Sequence, residues 1–196
     1  MRIILASQSP RRRELLERMG ISNFEIIPAK GEERIDPALT PSELVEELSR
    51  QKAAEVAGAN PDALVIAADT VVAVDGSVLG KPASRDHAVE MLTALSGREH
   101  HVYTGFTVCR GERVITAHED TAVRFRTLTG EEIEAYVDTK EPMDKAGSYG
   151  IQGLGCVLVE GIVGDYYNVV GLPVCHLGQV LTKFGVYPLT GRTSNG

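Results

Sequence analysis

The stretch IILASQSPRRRELL, residues 3–16, opens the chain and sets the fold expected for its first half. The apolar residues 3–6 predict a short buried strand. The residues that follow have helical spacing, with Ser9 suited to the N-cap and Pro10 to the first helical position. Because a strand passes directly into a helix here, the stretch indicates an α/β unit.

Three consecutive arginines, Arg11, Arg12 and Arg13, fall in the first turn of this helix. A helix N-terminus already carries partial positive charge, so cations there are locally unfavourable. Together with free backbone N–H groups and serine hydroxyls, they predict a phosphate-binding site. If so, removing an arginine should leave stability unchanged or slightly raised. The alternative is a solvated basic turn or a cluster of surface salt bridges.

Composition narrows the classes of protein that the chain can represent. The 196 residues carry a formal net charge of −7, which argues against a nucleic-acid polymer as the main partner. The three cysteines are far apart and odd in number, which predicts buried thiols in a reduced, cytoplasmic protein without a disulfide framework. The apolar runs are too short for a membrane span.

An unbroken apolar run, residues 63–68, predicts a buried strand that ends at Asp69. Helical patterns cover residues 42–57 and 84–96, and antiparallel strand pairs are expected between residues 71 and 125. The expected fold is therefore α/β, with a mixed β-sheet and flanking helices. We expect residues 1–190 to form one domain of two lobes around a central cleft, and residues 191–196 to be a flexible tail.

Asp69 has no turn or capping role to explain it, and a buried aspartate needs a partner, a metal or a function. Open α/β sheets place their chemistry at the carboxyl ends of strands, which favours a function for Asp69. Lys52 lies on the helix predicted at residues 42–57. The sequence alone favours a solvated surface lysine there.

The segment from Lys140 to Gly155 is rich in glycine and is expected to contribute little to the core. Glycines allow the backbone to approach a ligand closely, and loops of this length are often functional. The alternative is a plain long loop. A strand is expected to follow at residues 156–163.

Five segments, in this order, resemble the Maf family of nucleoside triphosphate pyrophosphatases. They are ILASQSPRRRELL, AADTVVAVDGSVLGKP, LSGREHHVYTG, EPMDKAGSYGIQGLG and GDYYNVVGLP. The resemblance covers residues 3 to 184. It implies a homodimeric protein of the Maf/inosine-triphosphatase-like fold that hydrolyses a nucleoside triphosphate to the monophosphate and pyrophosphate with a divalent metal.

The same resemblance assigns site residues. The family's general base or metal-binding aspartate falls on Asp69. Its other polar and charged site residues fall on Ser7, Arg11, Arg12, Arg13, Glu33, Lys52, Lys81 and Lys145. The run YGIQG, residues 149–153, resembles the subgroup that prefers dTTP and UTP.

The residue types at these positions suit the hydrolysis of a nucleoside triphosphate even without the resemblance. Cleavage between the α- and β-phosphates needs positive charge spread over the phosphates and a positioned water. The arginines and lysines supply the charge, while Asp69 and Glu33 offer oxygen ligands to Mg²⁺ or Mn²⁺. Asp69 is equally suited to accept the proton of the water.

Gln152 is a candidate for reading the base, with Arg11 and Thr70 as secondary contributors by resemblance. A glutamine amide offers a donor beside an acceptor, which complements the imide edge of uracil or thymine. The alternative is a glutamine that only braces its loop.

Two other functions compete with dTTP and UTP hydrolysis. One is the same reaction on another or methylated nucleotide, such as 7-methyl-GTP. The other is a non-enzymatic nucleotide-binding regulator of septum formation.

Overall fold

Strands and helices alternate through the first half of the chain, as its apolar pattern predicts. The computed structural model describes residues 1–190 and 192–193. The helices are α1 (Pro10–Arg18), α2 (Pro41–Ala59), α3 (Arg85–Leu95), α4 (Gly130–Asp138), α5 (Tyr166–Val170) and α6 (Val174–Thr182). The strands are β1 (Ile3–Leu5), β2 (Glu25–Ile26), β3 (Leu64–Val74), β4 (Ser77–Leu79), β5 (Glu99–Arg110), β6 (Arg113–Phe125), β7 (Val159–Val163), β8 (Val186–Tyr187) and β9 (Arg192–Thr193).

Side-chain caps begin α1, α2, α3 and α4 where the sequence places them. Ser9 accepts a hydrogen bond from the backbone N–H of Arg12, and Ser84 caps α3 in the same way. Thr40 and Thr129 each form a capping box with the glutamate three residues later. These caps satisfy backbone donors that the first helical turn leaves unpaired.

Seven strands form one mixed sheet in the order β2-β1-β3-β5-β6-β7, with β4 paired to β3. β1 is parallel to β2 and to β3, with Ile4 opposite Val65. The β3–β4 and β6–β7 pairs are antiparallel. The parallel pair β1–β2 is joined through the helix α1, and the antiparallel pair β3–β4 by a tight turn, as these two kinds of pairing require. The predicted fold class is confirmed.

The chain divides into two compact units. Unit 1 comprises residues 1–69, 104–119 and 171–196, and unit 2 comprises residues 70–103 and 120–170. β3, β5 and β6 each contribute residues to both. The central cleft between two lobes stays a prediction.

In unit 1, α2 packs on β1 and β3. Ala53 and Val56 of the helix form a cluster with Ile4, Val65 and Ala67 of the strands. α2 also lies very close to β5, where Gly105 leaves room for it. A Cβ added at Gly105 would lie 2.3 Å from the backbone of Val45. This packing holds α2 against the sheet.

Unit 2 has its own core, built from α3, α4 and the strands they cover. Leu92 and Leu95 pack with Phe125, Ile133 and Tyr149. The rings of Phe125 and Tyr149 meet edge to face, with centroids 4.7 Å apart. Tyr149 belongs to the segment 140–155, so the expectation that this segment adds little to the core is wrong. Three short 3₁₀ turns bury Tyr149 and Ser148 in place of an open loop.

Two strand boundaries also differ from the sequence-based expectation. β3 continues through Asp69 to Val74, so Asp69 lies within the strand and not at its end. The β-branched residues 70–72 favour continued extension, and a polar residue in a strand is tolerated when its side chain finds a partner. β7 begins at Val159, because residues 154–157 form a 3₁₀ turn.

The C-terminal end and two of the cysteines differ from what the sequence predicts or lie outside the described residues. β9 pairs with β8, and the rest of the tail predicted at residues 191–196 lies outside the described residues. Cys109 is buried as expected, but Cys156 and Cys175 are exposed, and all three are free thiols. Among the described residues, no helix combines the length and the apolar composition needed to cross a membrane.

Candidate active site

The link between β1 and α1 arranges two serine hydroxyls at the start of the helix. Ser7 is buried, and its Oγ accepts from the backbone N–H of Ser9 at 3.2 Å and from Nη1 of Arg12 at 3.3 Å. Ser9 in turn caps the helix. Both side chains are therefore fixed by local hydrogen bonds, and the cap formed by Ser9 is the one that the sequence predicts.

Arg12 turns back from the helix toward the sheet. Its Nε donates to the carbonyl oxygen of Gly171 and its Nη1 to that of Ala68, each at 2.8 Å. Burial lowers the pKa of the Arg12 guanidinium, and the negative charge of Asp69 opposes this. Arg12 therefore connects the link after β1, the segment before α6 and β3, the strand that carries Asp69.

Lys52 brings two carboxylates together. It lies on α2, and its Nζ donates to Oδ1 of Asp69 and lies 2.9 Å from Oε1 of Glu33. The side chains of Lys52 and Asp69 are only 18% and 17% exposed. The interpretation of Lys52 as a solvated surface lysine is therefore wrong. Helical periodicity predicts on which face of the helix a lysine lies. Only the packing of α2 on the sheet decides which residues that face contacts.

The remaining arginines of the first turn differ from Arg12. Arg13 is exposed and pairs with Glu17 one turn later, at 2.9 Å. Arg11 is partly buried, and its charge reaches Arg12. The three arginines thus have three different environments, which their adjacency in the sequence does not reveal.

The carboxylates of Asp69 and Glu33 are the candidate ligands of a divalent cation. Within the described residues, no group of three or more histidine, cysteine, aspartate or glutamate side chains is arranged to hold a metal. Mg²⁺ is commonly bound by one or two carboxylates together with waters and substrate phosphates. Asp69 and Glu33, which both pair with Lys52, offer the two carboxylates of that mode of binding. Waters and the phosphates of the substrate would supply the remaining ligands.

The other predicted site residues belong to unit 2. Thr70 follows Asp69 in β3 and is partly buried. Lys81 is exposed in the link after β4, beside Gly80, whose carbonyl oxygen accepts from the N–H of Gly147 at 3.1 Å. The link that carries Lys81 therefore contacts the segment that carries Lys145.

Lys145 and Gln152 lie on the glycine-rich segment. The Nζ of Lys145 donates to the backbone oxygen of Glu141, at 2.5 Å, and to Oδ1 of Asp144, at 2.7 Å. Gln152 is exposed in a turn. The convergence of these unit 2 residues with Asp69 on one nucleotide remains a prediction.

Sequence reasoning missed two kinds of group around these residues. One is the pair of backbone carbonyls that anchor Arg12, for which no side-chain pattern gives a signal. The other is Glu141, which binds the glycine-rich segment. The signal that could have found it is an acidic residue directly before a proline, near the start of that segment.

Comparisons with known proteins show which family the chain resembles. The family model described as Maf-like protein matches residues 2–184. A protein of Symbiobacterium thermophilum named dTTP/UTP pyrophosphatase is 53% identical over 187 residues, which cover 95% of each chain. A Bacillus cereus protein of the same name is 51% identical over 185 residues, which cover 94% of this chain and 96% of the relative.

A solved structure supports the fold. The structure of a HAM1 protein from Coxiella burnetii superposes with a TM-score of 0.53 at 17% identity, covering 93% of this chain and 99% of the other. The family model spans nearly the whole chain, and the relatives are about half identical to it along their full lengths. The chain belongs to the Maf family.

Proposed function

We propose that the chain is a nucleoside triphosphate pyrophosphatase that hydrolyses dTTP and UTP to the monophosphate and pyrophosphate. The observation that carries the proposal is the cluster of Lys52, Asp69 and Glu33 beside Arg12. It combines carboxylates with fixed cations in a partly buried setting, as phosphoryl chemistry requires. The names of the relatives supply the substrate class.

The proposed mechanism assigns each group a task. The Asp69 carboxylate accepts a proton from a water whose oxygen attacks the α-phosphorus. The bond from that phosphorus to the bridging oxygen breaks, and pyrophosphate leaves. Lys52 holds Asp69 in place through their ion pair, and Arg11 and Arg12 offset phosphate charge.

The metal is part of the proposal. Asp69 and Glu33 would hold Mg²⁺ or Mn²⁺, which neutralises charge on the phosphates when it is bound. Lys81 and Lys145 of unit 2 are proposed to contact the phosphates, and Gln152, with Thr70, the base.

The decisive experiment is a panel of nucleoside triphosphates assayed separately for phosphate and pyrophosphate. We expect pyrophosphate, without phosphate, from dTTP and UTP in the presence of Mg²⁺. Preparations of the Asp69→Asn variant, made in parallel, control for contaminating hydrolases. Release of phosphate alone, or no turnover of any nucleotide, would contradict the proposal. The 7-methyl-GTP and septum-regulator alternatives have no specific support from the described residues or the relatives' names.

Two further properties follow from the family membership as proposals. A homodimer is expected, which light scattering during size-exclusion chromatography tests. A cytoplasmic location is expected, and the three free thiols fit a reducing compartment.

A further inference from the structure

The carboxylate of Glu141 holds the segment that carries Gln152. Its Oε2 accepts from the N–H of Leu154 at 2.9 Å, and its Oε1 accepts from the N–H of Gly155 at 3.1 Å. Hydrogen bonds from backbone N–H groups to a carboxylate are among the stronger ones in proteins. The backbone just after Gln152 is therefore attached to a side chain thirteen residues earlier.

Tyr136 attaches the same segment on its other side. Its hydroxyl donates to Oε1 of Glu141 at 2.9 Å and accepts from the N–H of Gly150 at 3.1 Å. Tyr136 is a buried core residue of α4. The backbone on both sides of Gln152 is thus tied, through one phenol and one carboxylate, to the core of unit 2.

The glycines of the segment are explained by this attachment. A Cβ added at Gly153 would lie 2.3 Å from Oε2 of Glu141, and one at Gly155 would lie 2.6 Å from the Tyr136 hydroxyl. Any side chain at these positions would push the backbone off the carboxylate and the phenol. The glycines therefore permit close approach to the protein's own side chains.

Glu141 is suited to this task because it stays ionised. Burial acts to raise its pKa, but the hydrogen bonds from Gly155, Leu154 and Tyr136 and the nearby charge of Lys145 outweigh burial, and the pKa lies below its usual value. The backbone oxygen of Glu141 also accepts from Lys145. One residue thus anchors both the Gln152 segment and a proposed phosphate-binding lysine.

The same contacts bear on the role of Gln152. The sequence left open whether Gln152 reads a base or only braces its loop. Glu141 and Tyr136 already brace that loop, and the Gln152 side chain is exposed. Its orientation toward a ligand then depends on the backbone that Glu141 and Tyr136 fix.

We infer that Glu141, acting with Tyr136, is a positioning residue for base selection: it sets the backbone from which Gln152 contacts the pyrimidine. The inference rests on the proposed function. It adds a residue that touches neither the base nor the reacting atoms, and that acts through Gln152.

The variant Glu141→Gln tests the inference with little change of volume. Its NH₂ group would face a backbone N–H or the Tyr136 hydroxyl, so at least one donor loses its acceptor. Tyr136→Phe is the second variant, because it keeps the core ring and removes only the hydroxyl. Glu131→Gln, on the exposed start of α4, is the matched control for the loss of one charge.

The first measurement is the ratio of kcat/KM for UTP to that for GTP, with kcat and KM resolved. We expect Glu141→Gln to lower this ratio about fivefold or more, since a site loses discrimination when its hydrogen-bonding groups are displaced. Glu131→Gln should leave the ratio unchanged. In a Gln152→Ala background, Glu141→Gln should change the ratio less than about twofold, because residues that act through one another are not additive.

The second measurement needs no substrate. Amide hydrogen exchange at Leu154 and Gly155 should accelerate in Glu141→Gln, and at Gly150 in Tyr136→Phe, relative to the control. Equal losses for UTP and GTP, or full additivity with Gln152→Ala, would overturn the inference while leaving the pyrophosphatase intact. If the wild-type protein turns over no nucleotide, the proposed function itself fails, and the inference fails with it.

Discussion

Lys52 on α2 and Asp69 on β3 form an ion pair in which both side chains are less than one-fifth exposed. Glu33 joins the same ammonium group at 2.9 Å. One cation therefore serves two carboxylates, and loss of any member changes the charge balance of the other two. A partly buried pair of this kind is far more sensitive to the loss of one partner than a surface salt bridge is.

Asp69→Asn should abolish turnover while the protein stays folded. Asparagine is nearly isosteric but does not accept a proton from water, and it is a poorer metal ligand. We expect kcat to fall at least about a hundredfold. Steady-state kinetics and circular dichroism check this, with the exposed Asp62→Asn as the matched control. Near-normal kcat in a folded Asp69→Asn protein would remove Asp69 from the mechanism.

Arg12→Ala and Arg13→Ala should differ in stability. The sequence predicts no loss for either, but Arg12 donates to the carbonyls of Gly171 and Ala68. Its removal leaves those partly buried acceptors unpaired, at a cost of about 1–3 kcal/mol.

Arg13→Ala is the natural comparison, because Arg13 only pairs with Glu17 on the surface. Its free energy of unfolding should change by less than about 0.5 kcal/mol. Urea denaturation of both variants measures the difference. Equal stabilities would mean that the hydrogen bonds of Arg12 contribute nothing measurable to the free energy of unfolding.

We also expect Arg12→Ala to reduce turnover strongly. Wild-type kinetics in both variants would show that Arg12 and Arg13 do not bind the triphosphate.

Removal of divalent metal should stop the reaction. Excess EDTA is expected to lower the rate about a hundredfold or more, because a bound cation supplies several kcal/mol of charge stabilisation. Mg²⁺ or Mn²⁺ added back should restore activity, since the candidate ligands are carboxylate oxygens. Glu33→Gln should raise the Mn²⁺ concentration needed for half-maximal rate. Full activity in EDTA would count against any metal role.

Gln152→Glu should shift the preference among bases. A glutamate only accepts hydrogen bonds, so it loses the donor that the carbonyl of uracil or thymine needs. We expect kcat/KM for dTTP and UTP to fall about tenfold or more, and that for guanine nucleotides to fall less. The kcat/KM values for the pyrimidine and the guanine nucleotides should be measured on one protein preparation, and their ratio compared between the variant and the wild type. An unchanged ratio would show that Gln152 does not read the base.

The stability of unit 2 should decline in mild acid because of His100. This residue is buried, its Nε2 shares a hydrogen bond with the Tyr149 hydroxyl, and its Nδ1 has no partner among the described residues. Burial, aided by His101, lowers its pKa from 6.5 to about 4. Between those values the unfolded chain binds a proton that the folded protein does not.

The contribution of His100 is therefore fully present above pH 6.5 and is lost as the pH falls toward 4. The free energy of unfolding should decrease over this window by an amount on the order of 2–4 kcal/mol from this residue. Urea titrations at pH 7 and pH 5 should show about 2 kcal/mol of this decrease. The loss should be smaller in His100→Gln, which keeps a hydrogen-bonding group for Tyr149, and an equal loss would assign the effect to other groups.

The sequence alone determined the local elements and the family. Ser9, Thr40, Ser84 and Thr129 cap their helices through contacts within four residues, so composition and spacing predict them. The apolar run before Asp69 likewise identifies a buried strand, because burial on both faces requires it. The ordered segments shared with the Maf family identified the relationship that the comparisons confirm.

Only the tertiary structure decided what the charged residues meet. Lys52 reaches Asp69 because α2 packs closely on the sheet, and Arg12 is occupied by carbonyls from segments distant in the chain. Glu141 lies against glycines twelve and fourteen residues later, Gly153 and Gly155, because their missing side chains leave room. Such contacts join residues far apart in sequence, and hydrophobic periodicity, which reports only local geometry and burial, contains no information about them.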